Sequence, residues 1–415
     1  MVSFDAVSTS HRPLVFILLI AAAVRAALAL HQPGNLDQLP DQREYLALAQ
    51  NLRENHTLGF VDPRFGQTIY AYRMPGYPLL LAIKPPGFSY VAWGRSVQIA
   101  LDLSTIVAVY LIAMRLSLTA GGRSPVSARQ SGASAPGYER WMATIAASVI
   151  AFNPFYIYFS SLILSETLFA ALLSWAIACL VYRRTWLAAV LLIADCYVRP
   201  TGLLLLPILM LIGPNTRPSQ AYRFKAGIRR TLLSVILLVV CLMPWAIRNH
   251  QVLGVFLFTT TNDGATGASD QRFISDHPEL LSMNELDRSR FLSGQAWDWI
   301  KSNPGQLPRL TLQKLMRGWS PIPLSREFGS TVHRLISVSY ELPLDVLCLI
   351  GLCSKRLSPR AKMLIVAPAV MVTLGQAMTV GSIRYRMPAE APLAVLAAVG
   401  ATSVCRKFER NAENR

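Results

Sequence analysis

The residues able to do polar chemistry are few, and they sit at the ends of apolar runs. Asp41 and Glu44 fall in Pro40-Asp41-Gln42-Arg43-Glu44-Tyr45. Arg73 and Tyr77 fall in Ala71-Tyr72-Arg73-Met74-Pro75-Gly76-Tyr77-Pro78. Later come Glu166 in Ser165-Glu166-Thr167, Arg199 before Pro200, Arg248 in Pro244-Trp245-Ala246-Ile247-Arg248-Asn249, and the run Arg384-Tyr385-Arg386. A guanidinium grips phosphate oxygens with two prongs and does not lose its charge. A carboxylate can take a proton from a hydroxyl. Together these groups suit transfer of a group from a lipid phosphate to an acceptor alcohol.

The elements that must position them are largely hydrocarbon. Of 415 residues, 53% are apolar and 15% charged, against about 25% charged in soluble domains. Apolar runs near 20 residues are the length of a membrane-spanning helix. Long runs, rather than ten-residue alternation, point to helices and not to a barrel. The formal charge of +17 would suggest nucleic acid in a soluble protein. Here Lys and Arg concentrate in short connectors, as the positive-inside rule expects, and nucleic acid is not an expected partner. The six cysteines lie in or beside apolar runs without a CxxC pair, so thiolate-metal and redox chemistry are weak readings.

The fold class expected is an all-α polytopic membrane protein with about ten transmembrane helices and both termini cytoplasmic. The first span is Pro13–Leu30, for which a cleaved signal peptide is the competing reading because Ala27-Leu28-Ala29 resembles a cleavage site. Trp93–Leu116, Trp141–Phe152 and Leu162–Tyr182 follow. Residues 117–140 read as a flexible cytoplasmic loop. Read as one span, 186–212 would put Arg217, Arg223, Lys225, Arg229 and Arg230 outside, against the positive-inside rule. A two-helix hairpin with its apex at Arg199-Pro200 returns them to the cytoplasm. Leu232–Ile247, Leu335–Leu352, Met363–Val380 and Met387–Cys405 complete the crossings. Interfacial helices are expected at 76–83 in the first external loop and at Leu307–Trp319, an amphipathic stretch with Arg309, Lys314 and Arg317. The expected organisation is a catalytic membrane module at 1–250, with its external loop at 31–92. An external segment at 251–331 and C-terminal spans with a cytoplasmic tail at 332–415 follow.

This topology puts Asp41, Glu44, Arg73, Glu166, Arg199, Arg248, Arg384 and Arg386 at the outer face. Plainer roles compete for several of them. Asp41 and Glu44 fit a helix start after Pro40. Glu166 could bond Ser161 or Ser165, Arg199 could pair with Asp195 one turn earlier, and Arg384 and Arg386 could anchor to headgroups. Asp102 and Asp345 are intramembrane acids without an evident role.

Taken in order, these pieces resemble the GT-C superfamily of polyprenyl-phosphate-sugar glycosyltransferases, which includes protein mannosyltransferases and the aminoarabinose transferase of lipid A. The matching motifs are Pro40-Asp41-x-x-x-Tyr45, Ala49-x-Asn51-Leu52, Tyr72-Arg73-Met74-Pro75-Gly76-Tyr77-Pro78, Ser165-Glu166-Thr167-Leu168-Phe169, Arg199-Pro200-Thr201-Gly202, Pro244-Trp245-x-x-Arg248-Asn249 and Arg384-Tyr385-Arg386-Met387-Pro388. The resemblance implies a multi-pass enzyme of the cytoplasmic membrane with its active site facing outward. It makes Asp41 the catalytic base and Glu166 a second catalytic acid. Tyr45, Arg73, Tyr77, Arg199, Arg248, Arg384, Tyr385 and Arg386 are the expected substrate-binding residues. The family's frequent Asp-Glu pair is Asp41-Gln42 here, which weakens a metal-dependent reading, and no cofactor is expected. The partners implied are a polyprenyl-phosphate sugar donor, membrane lipid, and an acceptor glycan, lipid or protein. A polyprenyl phosphate leaves as a stable anion, so one base plus positive charge suffices, without the second acid a glycosidase needs. A single displacement with inversion follows. The alternative is a transporter, or a flippase or ligase of lipid-linked glycans, in which Asp102 and Asp345 would couple protons.

Overall fold

The computed structural model describes residues 11–31, 36, 39–120, 138–213, 220–264, 271–322 and 330–413. Asp37, Arg217 and most of the expected cytoplasmic loop at 117–140 lie outside the described residues.

The chain is an all-α membrane protein, and every expected crossing has a helix in its place. These are α1 (Arg12–His31), α4 (Tyr90–Ala120), α5 (Tyr138–Ala151), α7 (Ser165–Val181), α8 (Thr185–Val198), α9 (Gly202–Ile212), α10 (Gln220–Leu253), α14 (Thr331–Cys353), α15 (Pro359–Met378) and α16 (Ile383–Glu413). Among the described residues, 6 helices are long and apolar enough to cross a membrane, and α7, α8 and α9 are shorter apolar helices. The connecting helices are α2 (Pro40–Asn55), α3 (Gly76–Ala82), α6 (Pro154–Phe159), α11 (Gln271–Asp276), α12 (Glu285–Ser302) and α13 (Leu307–Gly318). An antiparallel hairpin, β1 (Phe60–Asp62) with β2 (Gln67–Ile69), adds a small sheet that the sequence reading did not foresee.

The hairpin expected around Arg199-Pro200 is present. Arg199 leaves α8 in an extended conformation and ion-pairs with Glu166, at the start of α7. Gly213, at the far end of α9, lies against Leu180, at the end of α7, and its carbonyl accepts from Arg230 of α10 at 3.0 Å. The two limbs therefore run along α7 and back. Their closeness depends on Gly202, where a Cβ would stand 2.9 Å from the Cys196 nitrogen.

Two buried ion clusters knit the bundle. Arg25 of α1 pairs with Asp102 of α4, both fully buried, and donates to the carbonyls of Ala151 (2.9 Å) and Ile150 (3.3 Å) at the end of α5. The intramembrane acid without a sequence-level role is thus the counter-ion that ties three helices. In the second cluster Arg386 of α16 meets Glu390 at 2.5 Å and Glu341 of α14 at 2.9 Å. Asn153, the cap of α6, donates to Glu390 at 2.9 Å.

Removing one member of a fully buried pair strands the other charge, at a cost of about 3–5 kcal/mol. Arg25→Met should lower the unfolding free energy in mixed micelles by that amount. Adding Asp102→Leu should recover most of it. Equal stability of the single variant and the wild type would contradict this role.

Candidate active site

Five elements converge at one end of the bundle: the first turns of α2, the loop before α3, the start of α7, the end of α8 and the start of α16. Asp41, in the first turn of α2, accepts from Arg73 Nη2 at 2.6 Å through Oδ1 and from Arg384 Nη1 at 2.5 Å through Oδ2. Arg73 also forks onto Glu44 Oε2, at 2.8 Å from Nε and 2.6 Å from Nη2. Glu166 accepts from Arg199 Nη1 at 2.5 Å and from Arg384 through Nε and, at 3.3 Å, Nη2. Arg384 therefore bridges the two carboxylates that the sequence singles out. Asp41, Glu44 and Glu166 balance Arg73, Arg199 and Arg384 in formal charge.

The acids differ in access. The Asp41 side chain keeps 23% of its surface exposed, whereas Glu166 has 0%. Burial pushes the Asp41 carboxyl up, but Arg73 and Arg384 together outweigh it and hold its pKa down at about 2. Burial and the Asp41 charge raise the Glu44 carboxyl in spite of Arg73.

The backbone beneath the site is held by amides. Ile163 donates to Gln42 Oε1 at 3.0 Å, and Gln98 Nε2 donates to the Leu162 and Leu164 carbonyls at 2.8 and 2.5 Å. These bonds fix the loop that delivers Glu166. Gln42, which replaces the second acid of the frequent Asp-Glu pair, thus faces this loop. Sequence reasoning missed Gln98, although a glutamine inside an apolar span is itself a signal. It also missed Glu285 of α12, whose carboxylate accepts from the Tyr70 and Ala71 amides at 2.6 and 2.9 Å and from the Thr261 hydroxyl at 2.6 Å. Glu285 anchors the segment between α10 and α14 to the loop that carries Arg73.

The other expected binding residues divide. The Tyr45 hydroxyl donates to Ser165 Oγ at 3.0 Å, and the Arg73 guanidinium stands over the Tyr45 ring. Arg199 stands over Tyr385, its centre 4.9 Å from the ring centroid. Tyr77 is fully buried, edge-on to Tyr45, and accepts from Gln98 at 2.9 Å, so it supports the site from below. Gly76 lets this segment approach α8, since a Cβ there would stand 2.7 Å from the Tyr197 carbonyl. Arg386 does not join Arg384. Two positions along a helix is about 200° of rotation, and Arg386 points into the bundle toward Glu341 and Glu390. Arg248 is engaged with backbone, donating to the Tyr70 carbonyl at 2.8 Å and to that of Leu58. The expected alternative pairing of Arg199 with Asp195 is not made. Neither Asp195 carboxylate oxygen has a hydrogen-bond partner, and the Arg199 side chain turns to Glu166.

Beside the cluster runs an open apolar groove between α3, α7, α8 and α10, lined by Leu79, Leu80, Leu168, Leu172, Val198 and Trp245, with Arg248 at its rim. Among the described residues no three His, Cys, Asp or Glu side chains converge as metal ligands. Both Asp41 oxygens face guanidinium nitrogens.

The archaeal oligosaccharyltransferase AglB from Archaeoglobus fulgidus, in complex with an inhibitory peptide and a dolichol-phosphate, has a similar structure. The TM-score is 0.57 at 14% identity, over 99% of this chain and 52% of that one. The chain has the GT-C fold. The oligosaccharyltransferase of the same organism tethered to an acceptor peptide containing the NVT sequon gives 0.54 at 14% identity, over 96% and 50%. Its complex with Zn and sulfate gives 0.53 at 16%, over 94% and 49%. The chain thus spans about half the length of these proteins. A family model described as the GPI transamidase subunit PIG-U matches residues 69–261. That stretch contains Arg73, Glu166, Arg199 and Arg248, but neither Asp41 nor Arg384. No curated protein matches the chain. Within the GT-C fold, the ionic cluster joins the segment between α1 and α4 to the last long apolar helix.

A carboxyl whose pKa is depressed by folding stabilises the fold above its unfolded pKa and loses that effect as pH falls through the folded value. For Asp41 these limits are the ordinary 3.8 and about 2. The wild type should therefore melt above Asp41→Asn by a constant margin from pH 7 down to about 4, and the margin should shrink towards pH 2. Melting curves in nanodiscs at pH 7, 4 and 2.5 test this. A margin that vanishes by pH 5 would contradict the depressed value.

Proposed function

We propose that the chain is a glycosyltransferase that moves a sugar from a polyprenyl-phosphate donor to an acceptor hydroxyl, with inversion and with Asp41 as general base. The observation that carries this reading is the access difference between the two acids: Asp41 is partly exposed, and Glu166 is sealed behind Arg199 and Arg384. A donor phosphate is a better partner for a guanidinium than a carboxylate already shared by two. On arrival it draws Arg384 towards itself and relaxes the hold of that guanidinium on Asp41. Asp41 then takes the acceptor proton while the acceptor oxygen attacks the anomeric carbon. The bond from that carbon to the phosphate oxygen breaks, and polyprenyl phosphate departs with its charge held by arginine. Glu166 keeps Arg199 and Arg384 in place and does not itself meet the acceptor. The apolar groove beside the cluster suits the polyprenyl tail. This chemistry asks for no metal.

In this reading residues 1–250 form the catalytic module together with Arg384 of α16, which completes the site, with the site on the outer face of the cytoplasmic membrane and both termini inside. A cysteine at Thr201, at the hairpin apex, should react with an impermeant thiol reagent from outside, and one at Lys225 should not. The reverse pattern would overturn the orientation.

The likeness to an oligosaccharyltransferase and to a GPI transamidase subunit favours, as a second reading, a protein that binds or transfers a whole lipid-linked glycan. Labelled donors separate the two. Release of polyprenyl phosphate from a single-sugar donor supports the first reading, and retention of donor without cleavage supports a binding subunit. Within the first reading, a general base is worth about 10²–10⁴-fold in rate. Asp41→Asn should bind donor yet transfer at least about 100-fold more slowly, with Glu44→Gln affected far less. Near-normal turnover by Asp41→Asn would move the base elsewhere.

A further inference from the structure

The elbow between α12 and α13 has no part in the reaction above, and its depth in the membrane can be read from its contacts. Helix α13 lies against the last turns of α15. Trp319, just after α13, donates to Thr373 Oγ1 at 3.0 Å, and Gly318 packs on the Gln376 side chain. Gly381, in the loop after α15, abuts the Lys314 carbonyl. Thr373 is five residues inside the end of α15, about 7 Å along the helix. The outward stripe of α15 stays apolar to that end: Val370, Leu374 and Met378 are 45%, 51% and 82% exposed. An apolar stripe of this kind suits hydrocarbon as far as Met378, and α13 packs beside that end.

The outer face of α13 suits this depth. Leu312 and Met316, one turn apart, are 58% and 66% exposed, and Arg309, Gln313 and Arg317 are exposed beside them. Where α12 meets α13, an open notch of about 400 Å³ is lined by Trp299, Gln306, Arg309, Leu310 and Gln313. Lys301, Arg309, Lys314 and Arg317 outnumber the lone acid of this elbow, Asp298. Exposed aromatic and basic side chains above an apolar strip are the pattern of an interfacial helix facing anionic lipid.

We propose that this notch binds the headgroup of an anionic membrane phospholipid. Arg309 holds the phosphate, the Gln313 amide meets headgroup oxygens, the Trp299 indole flanks the glycerol region, and Leu312 and Met316 lie along the upper acyl chain. The charge complementarity and the boundary depth favour a lipid here over a soluble glycan. The bound lipid would brace α13 against the loop at Gly381, three residues before Arg384, and so steady the arginine that bridges the site.

Native mass spectrometry of the full chain in detergent micelles, titrated with phosphatidylglycerol or phosphatidylcholine, tests this without any glycosyl donor. Its outcome is therefore independent of the proposed reaction. The wild type should bind phosphatidylglycerol saturably and at least about 10-fold more tightly than phosphatidylcholine. Loss of a charge-assisted contact is worth about 10- to 100-fold, so Arg309→Ala with Gln313→Ala should remove that preference. Arg317→Ala, on the same helix but outside the notch, should retain it. Gln313→Glu, at an exposed helical position that tolerates the change, should weaken phosphatidylglycerol alone. Unchanged preference in the Arg309 and Gln313 variants, or equal binding of both lipids by the wild type, would overturn the proposal. Displacement of phosphatidylglycerol by a soluble acidic oligosaccharide would overturn it too, and would assign the notch to a glycan.

Discussion

The bridge made by Arg384 between Asp41 and Glu166 is the interaction on which the rest of the site depends. These residues stand 343 and 218 positions from Arg384 along the chain. Charges so deeply placed are costly unless paired and well hydrogen-bonded. The structure meets this by matching Arg73, Arg199 and Arg384 with Asp41, Glu44 and Glu166 within one network. Neutrality has a functional side. A site whose arginines are already satisfied by carboxylates can accept an anion only by exchange of partners. Binding of a phosphate and release of a carboxylate are then one event.

Such a network must be held at the right height, and the neighbouring polar residues do that work. Gln42 and Gln98 satisfy the loop before Glu166, whose amide and carbonyls would otherwise be unpaired inside an apolar bundle. Glu285 does the same for the loop that bears Arg73, and brings the segment between α10 and α14 with it. Arg25 with Asp102, and Arg386 with Glu341 and Glu390, fix helices below the site without entering it. Arg25, Asp102 and Arg386 all have structural partners, so none of these three charges calls for a transport role. The fold is that of GT-C proteins, but the match covers half of a larger oligosaccharyltransferase. The site's own geometry, not that likeness, is the ground for the proposed roles.

The sequence by itself determined the helical crossings, because a run of apolar side chains long enough for a bilayer is a local property. It determined the hairpin at Arg199-Pro200 as well, through the basic residues that follow it. It also placed Asp41, Arg73, Glu166, Arg199 and Arg384 at one level, since polar groups in such a chain are confined to span ends. The tertiary structure decided the partners. Arg384 and Arg386 look equivalent in sequence, yet helical rotation sends one to the site and the other into the bundle. Arg248 shares the expected depth, but the backbone carbonyls of Tyr70 and Leu58 claim it. Arg199 has a carboxylate one turn away and takes another from a neighbouring helix. Which acid keeps access to solvent, and which carbonyls need an amide from elsewhere, depend on distances between helices. Residue order sets none of these, because each arises from packing between different segments, from 33 positions apart for Arg199 and Glu166 to 343 for Arg384 and Asp41.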